Sequence, residues 1–418
     1  MKIVNFGSCN IDYVYKLHHI VQVGETEQSV QREVFPGGKG LNQSIAIAKA
    51  GATVYHAGCI GSDGGLLLDT MTSSGVDTRF VQTLDQPSGH AIIQVSRTGE
   101  NSIFIHTGAN GMFSKAYIDS VLSHFEKGDL LLLQNEINNT EYIVESAYQK
   151  GMQTVLNPSP IDENISKIDF NKISWVVLNE IEGEYLSGCK EPAKIVFALR
   201  KKYPHIKVVL TLGSKGCMYH DGDELYFHPA YEVPVVDTTA AGDTFMGYFI
   251  AAIADEKSAE IALKRACIAS GLAVSQKGAA PSIPFADDVM AAYTVLHPKE
   301  TEFVGREQTS REKIQKYMES SLQTATLSGL AEELGYSAVY AGQLVKKTMG
   351  KSFGKYLQET RCSVAAKLLR ETQLPISEII QETGYHNESF FRIKFKELYG
   401  VSPLNYRKTL KNQGGKDQ

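Results

Sequence analysis

Nowhere in the 418 residues do apolar side chains run together for the about 18 positions that a membrane-spanning helix needs. Runs such as Leu130 to Leu133 are the size of a buried strand. Cysteine is sparse: Cys9, Cys59, Cys189, Cys217, Cys267 and Cys362 are scattered, with no CxxC pair and no histidine cluster beside them. That spacing argues against a zinc site or a disulfide framework and for a reducing cytosol. No GxxxxGK[ST] sequence occurs, which excludes the phosphate-binding loop built on that motif. The N-terminus, Met1-Lys-Ile-Val-Asn-Phe-Gly7, lacks the apolar stretch of a leader peptide and reads as a first strand entering a glycine turn.

What is present is the composition of an ordinary globular protein, 43% hydrophobic and 21% charged. The length exceeds what one core accommodates and predicts two to three domains. Charge is segregated. From Arg306 onward there are 18 Lys+Arg against 12 Asp+Glu, net +6, leaving 24 against 35, net −11, for residues 1–305. An acidic body with a basic C-terminal part points to nucleic-acid contact through that part only.

Over residues 1–298 strand-sized apolar runs alternate with helical patterns, which predicts an α/β fold on a mostly parallel sheet. The runs include Ile3 to Phe6, Leu130 to Leu133, Thr154 to Leu156, Trp175 to Leu178 and Val208 to Thr211. Several lead into polar or glycine positions (Asn10, Glu136, Asn157, Asn179, Gly213), and ligands of such sheets bind at the carboxyl ends of strands. Glu25 to Phe35 and His90 to His106 read as β-rich hairpin material, the second turning at Thr98-Gly99-Glu100. Residues 299–312, polar and without apolar periodicity, read as a linker. Residues 313–410 are helical in pattern, and 411–418 form a polar tail.

The helical part contains a repeat. Gly335-Tyr336 recurs as Gly384-Tyr385, and Gly350-x-Ser352-x-x-x-Tyr356 recurs as Gly400-x-Ser402-x-x-x-Tyr406, at offsets of 49 and 50 residues. One supersecondary unit is used twice. Each copy has a helix, a turn at Gly-Tyr and a second helix: Leu327 to Leu334 then Ala338 to Met349, and Ile376 to Thr383 then Asn387 to Tyr399. Such a layout sets the second helix of each copy in the DNA major groove. The exposed candidates there include Tyr340, Gln343, Lys346 and Lys347 in the first copy and Asn387, Ser389, Arg392 and Lys396 in the second. Gln343, Asn387 and Arg392 are types that read base edges, while the lysines suit phosphates. Each of these charged residues would equally serve on a solvated helix face.

In the first part, Val235-Val-Asp237-Thr-Thr239-Ala-Ala241-Gly-Asp243 sets Ala240, Ala241 and Gly242 before a helical run. Successive backbone N–H groups can converge there and hold an anion such as a phosphate in transfer. Asp243 beside them could accept a hydroxyl proton, although the same residues would also serve as the first turn of a buried helix. Asn10 and Asp12 follow the first strand, and Gly37-Gly38-Lys39-Gly40-Leu-Asn42-Gln43 opens a helix. With Glu136 and Asp243, these residues form a polar set suited to a polyhydroxylated ligand.

GSCNID, GGKGLNQ, HTGANG, LLLQNE, NPSP, LNEIEGEYL, TLGSKG, DTTAAGDTF and AVSQKGAAPSIP resemble, in order and spacing, the ribokinase (PfkB-type) sugar kinases over about residues 1–297. The resemblance implies a ribokinase-like fold with a small β lid at 13–35 and 90–106 that covers the sugar and pairs two subunits. It implies ATP and Mg²⁺, and K⁺ as activator. Asn10, Asp12, Gly38, Lys39, Asn42 and Glu136 would hold a pentose, with Asp243 the base and Ala240 to Gly242 the anion hole. Asn179, Thr211, Gly213, Ser214 and Gly216 would lie along the nucleotide, with Glu182 in the Mg²⁺ region. Asp237, Thr239, Ala273, Gln276, Gly278 and Ser282 would take the monovalent cation.

Ala366-x-x-Leu369-Leu, Ile376-x-Glu378-Ile-Ile, Gly384-Tyr-x-x-x-Ser389-x-Phe-x-x-x-Phe395-Lys and Gly400-x-Ser-Pro403-x-x-Tyr406-Arg407 resemble the AraC/XylS transcription regulators over about residues 310–410. Ile380 stands where that pattern commonly has Ala. The two resemblances together imply a sugar kinase, ribokinase foremost, joined to a double-stranded-DNA-binding regulator in the cytoplasm, dimeric and off the membrane. The alternative is a regulator whose kinase-like part only senses sugar or nucleotide.

Overall fold

The computed structural model describes residues 1–222, 224–296, 302–334, 338–385 and 387–413, without the side chains of 302–310, 339, 340, 343, 347 and 410–413. The chain forms two compact units, Met1–Lys299 and Glu300–Gln418.

The first unit begins with β1 (Ile3–Phe6), β2 (Asn10–Lys16), β3 (Gln31–Gly37), β4 (Val54–Gly61), β5 (Asp77–Leu84), β6 (Gly89–Val95) and β7 (Asn101–His106). It continues with β8 (Leu130–Gln134), β9 (Gln153–Asn157), β10 (Trp175–Asn179), β11 (Lys207–Thr211), β12 (Gly216–His220) and β13 (Leu225–Pro229). Nine of these form one sheet in the order β13-β12-β11-β10-β9-β8-β1-β4-β5. Its neighbours are parallel except where β12 pairs with β11 and β13. β1 and β8 are buried along their whole length, which is why they read as unbroken apolar runs. The remaining strands make a separate four-stranded sheet, β3-β2-β6-β7.

Two helices meet at this core and carry the site. In the helix Ala241–Ala254, a Cβ added at Gly247 would lie 2.3 Å from the Ala46 Cβ of the helix Lys39–Lys49. The backbones touch there because glycine leaves room. At the start of Lys39–Lys49, a Cβ on Gly40 would lie 2.4 Å from the Gly7 Cα, so the helix tip rests directly on the turn after β1.

Three expectations change. Asn10 opens β2 in the small sheet rather than trailing the first strand of the large one. Of Glu25 to Phe35, only the part within Gln31–Gly37 is strand, and the preceding stretch bridges β2 and β3 without regular pairing. Most of the segment read as a linker lies in the helix Glu302–Ser321. Its sequence is polar but rich in helix-forming Glu, Arg, Gln and Lys, and among its described side chains Ile314, Tyr317 and Met318 pack into a core.

The helices of the second unit are Glu302–Ser321, Leu327–Leu334, Ala338–Met349, Phe353–Glu371, Ile376–Glu382, Glu388–Tyr399 and Pro403–Gln413. They surround two separate apolar cores. Ile314, Met318, Leu330, Leu344 and Val345 belong to one, and Ala365, Leu369, Ile379, Phe391 and Phe395 to the other. Phe353–Glu371 contributes to both.

Candidate active site and nucleic-acid interface

Lys39, Asn157, Asn179, Glu182, Thr211 and the segment 240–243 line a cavity of about 240 Å³ at the carboxyl ends of the central strands. Ala240 caps the helix Ala241–Ala254 in the left-handed region at φ 57°, a conformation that costs a non-glycine residue about 1–2 kcal/mol. This turn directs the backbone of 240–242 along the positive end of the helix. A Cβ added at Gly242 would meet nothing within 4 Å, so that position opens onto free space.

Asp243 is only 9% exposed. Its Oδ2 accepts from Asn42 Nδ2 at 3.0 Å and its Oδ1 from Gln43 Nε2 at 2.9 Å. The Oδ1 of Asn42 is buried without a hydrogen-bond partner among the described residues, so it has acceptor capacity to offer a ligand. Burial pulls the Lys39 ammonium down, but Asp243, Glu136 and Glu182 together more than offset it and hold its pKa above the usual lysine value. Lys39 therefore stands in this cavity as a cation, beside the segment 240–243.

At the tip of the helix Lys39–Lys49, Glu136 accepts from Ser8 Oγ and, at 3.1 Å, from the Lys39 N–H, so its carboxylate caps that helix, whose own N-cap is Gly38 at φ 95°. Burial raises Glu136 above the carboxylate range, against the pull of Lys39 and Ser8. Burial, and then Glu136, push Asp12 up to about 7. Asn10 Oδ1 accepts from Asn110 Nδ2 at 2.7 Å, while Asn110 Oδ1 takes the Cys9 N–H at 2.9 Å. Ser8, Asn10, Asn110 and Glu136 line a second cavity of about 530 Å³, with Ile105 of β7 at its edge.

At the end of β10, Asn179 and Glu182 form a capping box. Asn179 Oδ1 accepts from the Glu182 N–H at 3.0 Å, and Glu182 Oε2 accepts from the Asn179 backbone N–H at 2.9 Å, with a further bond from Asn179 Nδ2 to Glu182 Oε1 at 2.9 Å. Each Glu182 oxygen keeps spare lone pairs, and the charge it exerts on Lys39 places it at the same cavity. Gly213, Ser214 and Gly216 form the turn after β11, beyond that cavity's lining. Only glycine fits at 216, where φ is 116° and a Cβ would lie 2.0 Å from the His228 carbonyl.

The residues expected at a monovalent cation come together. Asp237 Oδ1 accepts from Thr239 Oγ1 at 2.6 Å and its Oδ2 from the Gly278 N–H at 3.0 Å. These bonds outweigh burial and hold Asp237 below the usual carboxylate value. Ala273 accepts from the Gln276 N–H at 3.1 Å, closing the turn that brings Gly278 to Asp237. The Ser282 hydroxyl instead turns to Ala279 O at 2.8 Å.

In the helical unit, Asn387 is the N-cap of Glu388–Tyr399, its Oδ1 accepting from the Phe390 N–H at 2.9 Å. That bond leaves its amide N–H groups fully available for a base edge. Arg392 pairs with Glu388 Oε1 at 2.9 Å and both are exposed, as are Ser389, Lys396 and, in the first copy, Lys346. The side chains of Tyr340, Gln343 and Lys347 lie outside the described residues. The turn before Asn387 is a Schellman motif, with Tyr385 N bonded to Ile380 O at 3.0 Å and Gly384 N to Gln381 O at 2.9 Å.

Ser8, Gln43 and Asn110 were not among the expected site residues. All three sit inside motifs that stand out in the sequence, GSCNID, GGKGLNQ and HTGANG, but their partners lie 128, 200 and 100 residues away.

The family model described as pfkB family carbohydrate kinase matches residues 1–286, and a helix-turn-helix domain model matches 330–409. The ribokinase of Haemophilus influenzae is 34% identical over 291 residues, covering 66% of this chain and 94% of that protein. A deoxyribokinase of Salmonella typhi is 29% identical over 68% of this chain and 96% of its own length. The Arabidopsis thaliana ribokinase, solved with ribose and ATP, superposes with a TM-score of 0.63 at 29% identity, over 69% of this chain and 97% of that one. The chain therefore belongs to the pfkB family of ATP-dependent carbohydrate kinases, as a ribokinase-like domain fused to an AraC-type helix-turn-helix domain.

Proposed function

We propose that residues 1–298 phosphorylate a pentose, D-ribose to ribose 5-phosphate foremost, and that residues 313–410 bind double-stranded DNA to regulate genes of sugar use. The sugar's primary hydroxyl gives its proton to the Asp243 carboxylate while its oxygen bonds to the γ-phosphorus of ATP. The bond from that phosphorus to the bridging oxygen breaks, and ADP leaves with the electron pair. Lys39 and the N–H groups of 240–242 stabilise charge on the moving phosphoryl group. Asn10, Asp12, Gly38, Asn42 and Glu136 hold the sugar hydroxyls, and Asn179 and Thr211 lie along the nucleotide.

Mg²⁺ fits at the spare lone pairs of Glu182, where it would neutralise phosphate charge. K⁺ fits at the Asp237 turn beside the anion hole, where it would steady the loop that carries Ala240. The sheet of β2, β3, β6 and β7 acts as the lid, excluding water. Its edge strand β7 exposes Ile103 at 53%, Phe104 at 58% and Ile105 at 57%, an apolar strip suited to pairing with a second copy. Phe104→Asp should shift sedimentation toward monomer, and an unchanged mass would remove this interface.

The observation that carries the kinase reading is the buried Asp243 carboxylate at a helix N-terminus, beside the unpartnered Asn42 Oδ1. The test is ATP-dependent phosphorylation of a pentose panel with Mg²⁺ and K⁺. Asp243→Asn should lower kcat on ribose by about 10²–10⁴-fold with sugar binding retained. No turnover by the native chain on any sugar, with binding still measurable, would make residues 1–298 a sensor instead.

A further inference from the structure

Gln43 follows Asn42 near the start of the helix Lys39–Lys49, and the reaction above gives it no part. Its Nε2 donates to Asp243 Oδ1 at 2.9 Å and reaches Asn157 Oδ1 at 3.4 Å. Its Oε1 accepts from Gln134 Nε2 at 2.7 Å. Gln134 Nε2 is also aimed at Asn5 Oδ1, at 2.9 Å, and Asn157 Nδ2 is tied to Val177 O at 2.9 Å. The side chains of Gln43, Gln134 and Asn5 are all buried, each at most 1% exposed.

These bonds determine which way the Gln43 amide points. Reversing it would set two NH₂ groups against each other at Gln134 and a carbonyl oxygen against the Asp243 carboxylate. An N–H of Gln43 therefore faces Oδ1, just as an N–H of Asn42 faces Oδ2. The terminal torsion of an aspartate is broad and intrinsically soft. Two donors from one helix, one on each oxygen, fix the carboxylate plane that the torsion alone leaves free.

We infer that Gln43 is a positioning residue for phosphotransfer: its amide holds the Asp243 carboxylate in the plane that meets the sugar hydroxyl, and Gln134 with Asn5 holds the amide. The inference rests on the phosphotransfer proposed above. Gln43 also explains why a glutamine, rather than an apolar residue, occupies this core position: it is the link between a buried polar network and the reacting carboxylate.

The test is a double-mutant cycle in the full chain, with kcat and KM measured for ribose and ATP and ribose affinity measured by calorimetry. Gln43→Leu should lower kcat by about 10- to 100-fold while ribose affinity and the KM for ATP change less than about 3-fold. In the Asp243→Asn background the same substitution should cost less than about 3-fold, because the group it positions is already gone. Gln43→Glu keeps the side-chain length and the acceptor toward Gln134 but sets a second carboxylate against Asp243. It should reproduce the loss of kcat with ribose still bound, and it serves if the leucine variant does not fold. Equal losses in both backgrounds, or kcat unchanged in either Gln43 variant, would overturn the inference while leaving the kinase reading intact. A native chain that turns over no sugar fails the kinase reading first and takes this inference with it.

Discussion

Asp12 is a buried carboxyl group whose titration is strongly displaced by its surroundings. Burial and Glu136 raise its pKa from about 4 to about 7, so between those pH values the folded state holds a proton that the unfolded state has lost. Stability from this group therefore falls as pH rises from about 4 to about 7. His56 and His228, both lowered to about 4 by burial, act in the opposite sense as pH rises toward 6.5, so a melting curve of the native chain alone mixes the two. Asp12→Asn separates them. The melting temperature of the variant minus that of the native chain, both without sugar, should increase steadily across pH 4–7, and a flat difference would mean Asp12 titrates normally. At this scale the sequence showed residue types but not partners. Asn42 and Asp243 were legible as a polar set because each closes a glycine-rich turn. Gln43, the next residue along, was not, because nothing local marks a side chain whose function is a hydrogen bond to a residue 200 positions away.

Among elements, the strands were the most legible. β1, β8, β10 and β11 are short apolar runs covered on both faces, and burial of that kind leaves its mark in the sequence. The helix Glu302–Ser321 was not legible, because its N-terminal half has no apolar stripe to betray a period. The two cores of the helical unit meet at a junction that no periodicity reveals. Arg361, on the shared helix Phe353–Glu371, donates to Leu322 O at 2.9 Å and Gln323 O at 3.1 Å. Gly384, in the turn of the second copy, lies so close that a Cβ there would be 2.6 Å from the Gln323 Cα. The guanidinium thus ties the chain entering the first copy to the turn of the second. Arg361→Ala removes these bonds and leaves the partly buried Leu322 carbonyl unpaired, a loss of about 1–3 kcal/mol. Denaturant unfolding should show it, and affinity should fall more for DNA with two half-sites about 34 Å apart than for DNA with one. An equal fall on both would place the effect on stability alone.

At the scale of the whole molecule the determining feature is charge segregation, net −11 on residues 1–305 against net +6 from Arg306 onward. Such segregation favours approach to DNA through the basic part, with an affinity expected to depend steeply on salt because each neutralised phosphate releases counterions. We propose that Lys396 and Arg392 divide the work on the helix Glu388–Tyr399 by their chemistry. Lys396 is an exposed point charge four residues beyond Arg392, without the planar fork that reads guanine, whereas the Arg392 guanidinium is held in orientation by Glu388. Lys396→Ala should therefore weaken binding alike on operator and unrelated DNA and reduce the slope of log affinity against log salt by about 1. Arg392→Ala should instead erase discrimination between base pairs at one position, worth about 1–3 kcal/mol, with a smaller effect on unrelated DNA. Titrations of both variants at several salt concentrations separate the two roles. If Lys396→Ala lowered operator affinity alone, the lysine would be a base reader and the assignment would be reversed.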